Sequence, residues 1–112
     1  MGALVATTPD RDGTVVSGAA VAASDTIAAA IIGQRGCYLE IINGGGSPDD
    51  MTISDASLTP TGAAAAANAP TVTNGTSKVF LIVPQQVNTS TGVVTVTHSF
   101  TTSVTYKLYP LG

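Results

Sequence analysis

The stretch VVTVTHSF, residues 93–100, decides the fold class. Its even-numbered positions carry Val, Val, His and Phe, whereas positions 95, 97 and 99 carry Thr, Thr and Ser. Alternation with a period of two is typical of a β-strand that buries one face and exposes the other. We therefore predict a strand here, with the even-numbered side chains facing the core.

Other parts of the chain carry strand patterns of the same kind. Apolar runs at residues 37–43 and 78–83 and alternating patterns at 51–55 and 103–109 each predict a strand. Glycine- and asparagine-rich turns separate them, so we expect a hairpin that joins residues 37–43 to 51–55. We expect a second, terminal hairpin made by the last two strands, 93–100 and 103–109.

Composition agrees with an all-β fold. Val, Ile and Thr number 36, whereas the straight-chain helix formers Leu, Met, Glu, Gln, Lys and Arg number 16. Branched side chains pack well on a pleated sheet and lose rotamer freedom on a helix. The 112 residues suit one domain, and we predict a single β-sandwich or jelly-roll-like domain over residues 18–112, preceded by an N-terminal arm or edge strand over residues 1–17.

Two segments of the predicted domain have weaker patterns. Residues 18–33 are predicted to be extended or irregular, with a short helix over 26–32 as the alternative, because only three large side chains are available to bury. Residues 58–72 combine proline, glycine and an alanine run, which indicates a long surface connection that crosses between sheets.

The charge content restricts the classes of partner. Charged residues make up 10% of the chain and the net charge is -3, against about 25% charged residues in ordinary soluble domains. Four basic residues cannot neutralise many phosphates, so we expect neither a nucleic-acid partner nor an anionic membrane partner. A surface so poor in charge has little repulsion between copies, which favours burial of part of it in an assembly.

The residues with catalytic or metal-binding chemistry are few. His98 is the only histidine, and its place in line with Val96 and Phe100 predicts a core imidazole rather than a catalytic base. Cys37, the only cysteine, is predicted to be a small buried side chain. The carboxylates lack the pattern of a glycosidase pair or a calcium loop. We therefore expect no catalytic residue, cofactor or metal site, and no enzymatic activity.

Four segments resemble a known class of protein: LEIINGG at residues 39–45, MTISDA at 51–56, GVVTVT at 92–97 and TSVTY at 102–106. Together they resemble small β-sandwich virion proteins of tailed bacteriophages, of the kind encoded beside the major capsid protein, over about residues 38–112. The resemblance implies a capsid decoration (cement) protein, often a trimer, that sits on the outer capsid surface and bridges capsomers.

The functional expectation is therefore a non-enzymatic virion protein that is made in the host cytoplasm and contacts the major capsid protein and its own copies. Leu4 and Val5 are the candidate residues for docking on the shell, and Tyr106, Tyr109 and Leu111 are the candidates for contact between subunits. The alternative is a receptor- or carbohydrate-binding module of a phage tail or fibre, which requires an exposed aromatic platform. An enzyme would require His98 to line a pocket.

Overall fold

The chain folds almost entirely into β-strands, as a computed structural model that describes residues 2–57, 60–63 and 66–111 shows. One helical turn, α1 (Ala29–Ile32), and one 3-10 turn (Pro84–Gln86) interrupt the strands. The strands are β1 (Gly2–Ala3), β2 (Ala19–Ala20), β3 (Ser24–Ala28), β4 (Cys37–Asn43), β5 (Asp49–Ile53), β6 (Thr71–Val72), β7 (Thr76–Ile82), β8 (Val93–His98) and β9 (Val104–Pro110).

The strands form two sheets, with the orders β1-β3-β8-β5-β6 and β2-β9-β4-β7. Every pairing is antiparallel except that of β1 with β3. When β2 to β9 are lettered B to I, the sheets contain the orders C-H-E-F and B-I-D-G, which is the strand arrangement of a jelly roll. The prediction of an all-β sandwich with jelly-roll-like topology is confirmed.

The core lies between the two sheets and is built from alternate residues of each strand. In β8 the even-numbered side chains from Val94 to His98 are buried, and in β4 the odd-numbered side chains from Cys37 to Asn43 are buried. The predicted burial of the even positions in residues 94–98 is therefore confirmed. The largest fully buried side chains are Ile27, Ile32, Leu39, Ile41, Met51, Ile53, Ile82 and Leu108.

Both predicted hairpins are wrong, because the strands that each was to join lie in different sheets. β4 pairs with β7 and β9, whereas β5 pairs with β6 and β8. The connections, residues 44–48 and 99–103, are five residues long. Packed sheets are about 10 Å apart, and five residues of chain easily span that distance. Both connections cross between the sheets at the same end of the sandwich, which we call the crossover end.

Residues 18–33 are extended as predicted up to Ala28, and the alternative helix exists only as the single turn α1. Asp25 is buried within β3, where its Oδ2 accepts the N–H of Ala22 at 2.9 Å. The connection after β5 leads to β6 in the same sheet, so its predicted crossing is also wrong. The chain changes sheets at the turn that follows β6.

Residues 2–7 are part of the sandwich, with β1 at the edge of the five-stranded sheet, rather than a free arm. The N–H of Leu4 donates to Thr26 O and that of Thr7 to Leu108 O, each at 2.8 Å. Residues 8–18 then form a mostly exposed loop. The chain rejoins the sandwich at Ala19, which pairs with Tyr106 of β9, two positions from Leu108. We call residues 8–18 the edge loop, because this loop lies beside β2 at one edge of the four-stranded sheet.

Candidate functional site

The structure brings three of the five predicted contact residues together inside one chain. Leu4 and Tyr106 are both buried in the core, and the Tyr106 hydroxyl accepts the backbone N–H of Val5 at 3.0 Å. The Val5 side chain is 73% exposed. Leu4 and Tyr106 therefore fasten the N-terminal segment to β9, and of the three only Val5 exposes its side chain to solvent.

Tyr109 and Leu111 are both partly exposed near the end of β9. The N–H of Leu111 donates to Gly36 O at 3.1 Å, which holds the C-terminal segment against the sandwich. Tyr109 is directly opposite Tyr38 of β4. Because directly paired residues point to the same side of a sheet, these two rings share the outer face of the four-stranded sheet.

That outer face exposes a group of apolar side chains. Tyr38 is flanked by Tyr109 on β9 and by Leu81 on β7, and Val79 lies two residues before Leu81. The exposed fractions of Tyr38, Val79 and Leu81 are 43%, 60% and 51%. We call Tyr38, Val79, Leu81 and Tyr109 the outer-face patch. In the row beside it, Glu40 lies between Val79 and Lys107.

The patch adjoins β7, which forms one edge of the four-stranded sheet. The other three sheet edges, β1, β2 and β6, are each two residues long, whereas β7 has seven residues in unbroken register with β4. Proteins commonly protect sheet edges with very short strands, bulges, prolines or charges. Within β7 there is no proline, and Lys78 is the only charged residue.

A buried ionisable pair occupies the crossover end. The imidazole Nδ1 of His98 lies 2.6 Å from Oδ2 of Asp49, and both side chains are at most 1% exposed. Asp49 Oδ1 accepts the backbone N–H groups of Ser99 at 3.1 Å and Phe100 at 3.3 Å. These bonds tie the first residue of β5 to the connection that leads from β8 to β9.

Asn43 makes a matching set of bonds in the other crossing connection. Its Nδ2 donates to Ser47 O at 2.8 Å and to Val72 O at 3.0 Å, and its Oδ1 accepts the N–H of Gly45 at 3.0 Å. Gly45 lies against the ring of Phe100. The buried polar side chains of this end therefore hold both crossing connections in place.

The geometry gives His98 a structural role. Its ring is buried, and Nε2 has no hydrogen-bond partner among the described residues. A substrate therefore cannot reach the imidazole in this conformation. Within residues 2–57, 60–63 and 66–111, no three His, Cys, Asp or Glu side chains are grouped as metal ligands. Burial also raises the pKa of the Cys37 thiol to about 11, which makes it a poor nucleophile near neutral pH.

Two further observations concern a surface depression and membrane-spanning helices. An open depression of about 690 Å³ is lined by Ala56, Ser57, Pro84, Gln85, Val87, Asn88 and Thr89, none of which is ionisable. Among the described residues, no helix has the length and apolar character needed to span a membrane.

Sequence reasoning missed the outer-face patch and the Asp49–His98 pair. The patch had a signal, because both faces of the predicted strand at residues 78–83 are apolar, and one of them faces solvent. The pair had none, since it joins residues 49 positions apart on β5 and β8, two strands whose pairing was not predicted.

Comparison with known proteins adds no assignment: no protein-family model, curated protein or solved structure matches the chain.

Proposed function

We propose that this chain is a non-enzymatic structural protein of a virion, a capsid decoration protein that sits on the outer capsid surface and bridges subunits of the major capsid protein. The observation that carries the proposal is the outer-face patch, an apolar surface beside the single long sheet edge of the described residues. Exposed apolar groups of this kind mark interaction sites.

The amount and chemistry of the surface support the same proposal. The chain exposes 6234 Å², roughly a tenth more than the ~5,700 Å² expected for a monomer of its mass. Few charges protect that surface from association, since only 10% of residues are charged. The jelly roll is also an architecture that viral capsid proteins use. A chain with these properties gains stability when neighbours cover it.

Repetition explains how such a protein could stabilise a shell. Each copy would add modest apolar and backbone contacts across a seam between capsid subunits, and many copies act together. The proposed state in solution is a trimer of about 33 kDa, made from three chains of 11.1 kDa. This self-association would add further contacts in the same plane.

Shell binding is tested with heads of the tailed phage that carries this sequence, prepared without the chain. We expect purified protein to co-sediment with these heads saturably and to raise the temperature at which they open. Tyr38→Glu, in the outer-face patch, and Val5→Glu, at the exposed residue of the predicted docking segment, should each weaken binding. Thr52→Glu adds the same charge to an exposed position of β5 in the five-stranded sheet and should not. Protein that stays in the supernatant at all concentrations would contradict the proposal.

Point variants are preferable to deletion of residues 1–17. Deletion would remove Leu4 from the core and β1 from its sheet, so that lost binding could reflect a damaged fold.

One observation favours a second candidate, a carbohydrate-binding module of a tail or fibre. Tyr38 and Tyr109 form an adjacent, partly exposed aromatic pair, and aromatic rings provide apolar contact together with a polar hydroxyl. A glycan array with the purified protein tests this function. Specific signals that Tyr38→Ala abolishes would favour the module, and a blank array would remove it.

A further inference from the structure

Two surface features of the described residues lie at opposite edges of the same sheet. In the order β2-β9-β4-β7, the edge loop precedes β2 at one edge and β7 forms the other. Neighbouring strands are about 4.8 Å apart, so these edges are separated by roughly 14 Å, with β9 and β4 between them. The edge loop of a copy is therefore far from the β7 edge of that same copy, but a second copy placed side by side can bring the two features together.

The β7 edge has the properties of an acceptor. It offers seven residues whose outer edge has no strand partner among the described residues, and an extended segment can add to such an edge through main-chain hydrogen bonds. Val79 and Leu81 project from it onto the outer face and are more than half exposed. An added segment with an apolar side chain would cover them.

The edge loop has the properties of a donor. Val15 is 96% exposed, the most exposed large apolar side chain of the described residues, and Val16 follows it. The loop is shaped by its own bonds, with the N–H of Asp10 donating to Thr14 Oγ1 at 3.2 Å and that of Gly13 to Asp10 O at 3.3 Å. Val15 is therefore available to cover apolar side chains of a neighbouring copy.

The net charges of the two features are opposite. Lys78 pairs with the buried Ile41, so its side chain leaves β7 on the side away from Val79 and Leu81, and Glu40 beside Val79 is balanced by Lys107. The edge loop carries Asp10, Arg11 and Asp12, a net charge of -1, whereas Lys78 is the only charged residue of β7. Pairing of two β7 strands would instead bring together two positively charged edges. Charge therefore favours contact of loop with edge over contact of edge with edge.

We propose that copies of this chain associate head to tail, with the edge loop of one copy docked along β7 of the next and Val15 covering Val79 and Leu81. Such a contact is heterologous, so it closes as a ring when the rotation between copies permits. This inference deepens the self-association part of the proposed function, and a ring of three is the closed form that agrees with the proposed trimer.

The mass in solution is the first test, by light scattering on wild-type protein. We expect about 33 kDa for wild type and 11.1 kDa for both Val15→Glu and Leu81→Glu. Both side chains are exposed, so circular dichroism should show an unchanged fold, and Val79→Glu replaces Leu81→Glu if that variant unfolds. Thr52→Glu is the matched control and should stay at 33 kDa. A wild type that is monomeric at every concentration, or a Val15→Glu trimer, would overturn the proposal.

Mixing the two variants tests the head-to-tail geometry. Val15→Glu retains an intact acceptor and Leu81→Glu an intact donor, so an equimolar mixture should form a 1:1 complex of about 22 kDa, twice the chain mass. Contact between two β7 strands predicts no such complex, because one partner always carries the damaged strand. Failure of the mixture to associate would reject the head-to-tail contact.

A charge exchange tests the pairing of loop and edge. Lys78→Glu alone should weaken association several-fold, and Asp12→Lys in the same chain should restore part of the loss at low salt. No recovery in the double variant would contradict the proposed charge pairing. Shell binding is measured separately, so a chain that binds heads as a monomer would refute the contact and leave the decoration role standing.

Discussion

Apolar side chains are usually buried and polar ones exposed, and the crossover end and the outer-face patch depart from this pattern in opposite directions. At the crossover end, ionisable and amide side chains are buried, and at the patch, aliphatic and aromatic side chains face solvent. Asp49 and Asn43 are compensated within the chain, because both terminal atoms of each have hydrogen-bond partners. His98 Nε2 is the buried side-chain atom that has none among the described residues. By contrast, the described residues leave the apolar side chains of the patch partly in contact with water.

This difference separates what the fold needs from what a partner would use. Burial of a polar group is costly unless its hydrogen bonds are made, so the crossover end is explained as a fastening of the two sheets. An exposed valine or leucine contributes little to the stability of its own chain. Changes at the crossover end should therefore affect folding, and changes at the patch should affect association.

The largest effect is expected for Asp49→Ala. The substitution leaves the His98 imidazole and the Phe100 N–H without their acceptor, whereas the Ser99 N–H keeps its bond to Asp50 O. Loss of one partner of such a buried pair costs about 3–5 kcal/mol. Urea denaturation gives the change in the free energy of unfolding.

Asp50→Ala is the matched control for that substitution. The neighbouring carboxylate is exposed and accepts the Thr71 hydroxyl at 2.7 Å, so its loss should cost less than about 1 kcal/mol. Equal effects for the two aspartates would show that the buried pair has no special role in stability.

Close packing at the same end predicts an intermediate effect for Gly45→Ala. A Cβ at this position would collide with the Phe100 ring and with Thr102 O, and overpacking of this kind costs about 1–3 kcal/mol. At Gly46 an added Cβ meets no heavy atom within 4 Å, and neither glycine has a positive φ. Thermal denaturation should therefore separate the two alanine variants, and an equal loss for both would argue against the packing of Gly45 on Phe100.

These positions also show where sequence reasoning succeeds and fails. The apolar run at residues 37–43 predicted a strand with its observed bounds, because the hydrophobicity of a short run is a local property. Pairing is not local: a connection of five residues suits a hairpin and a crossing between sheets equally well, so both hairpins were predicted wrongly. When both faces of a strand are apolar, the sequence does not indicate which face is buried. The exposure of Val79 and Leu81 was therefore seen only in the structure.

A smaller effect is expected from the Cys37 thiol at alkaline pH. Burial raises its pKa from 9.0 to about 11, so the unfolded chain loses this proton at lower pH than the folded chain. The stabilising contribution is complete below pH 9 and is lost as the pH rises towards 11. Between pH 8 and pH 10 the loss should be about 1 kcal/mol, measured as the difference between wild type and Cys37→Ala, which removes contributions from tyrosines and lysines. Parallel pH profiles for the two proteins would contradict the buried thiol.

The smallest effect on the fold is expected for Leu81→Thr, and its dependence on concentration is the informative quantity. Leu81 is half exposed, and surface substitutions of this kind change the free energy of unfolding by about 0.5 kcal/mol or less. A partner that binds only the folded state adds stability that grows with protein concentration. At low concentration wild type and Leu81→Thr should therefore unfold together, and at high concentration wild type alone should gain stability. Asp49→Ala differs from wild type at every concentration because its lost bonds lie within one chain. A Leu81→Thr difference that is large and constant with concentration would mean that the outer-face patch belongs to the fold after all.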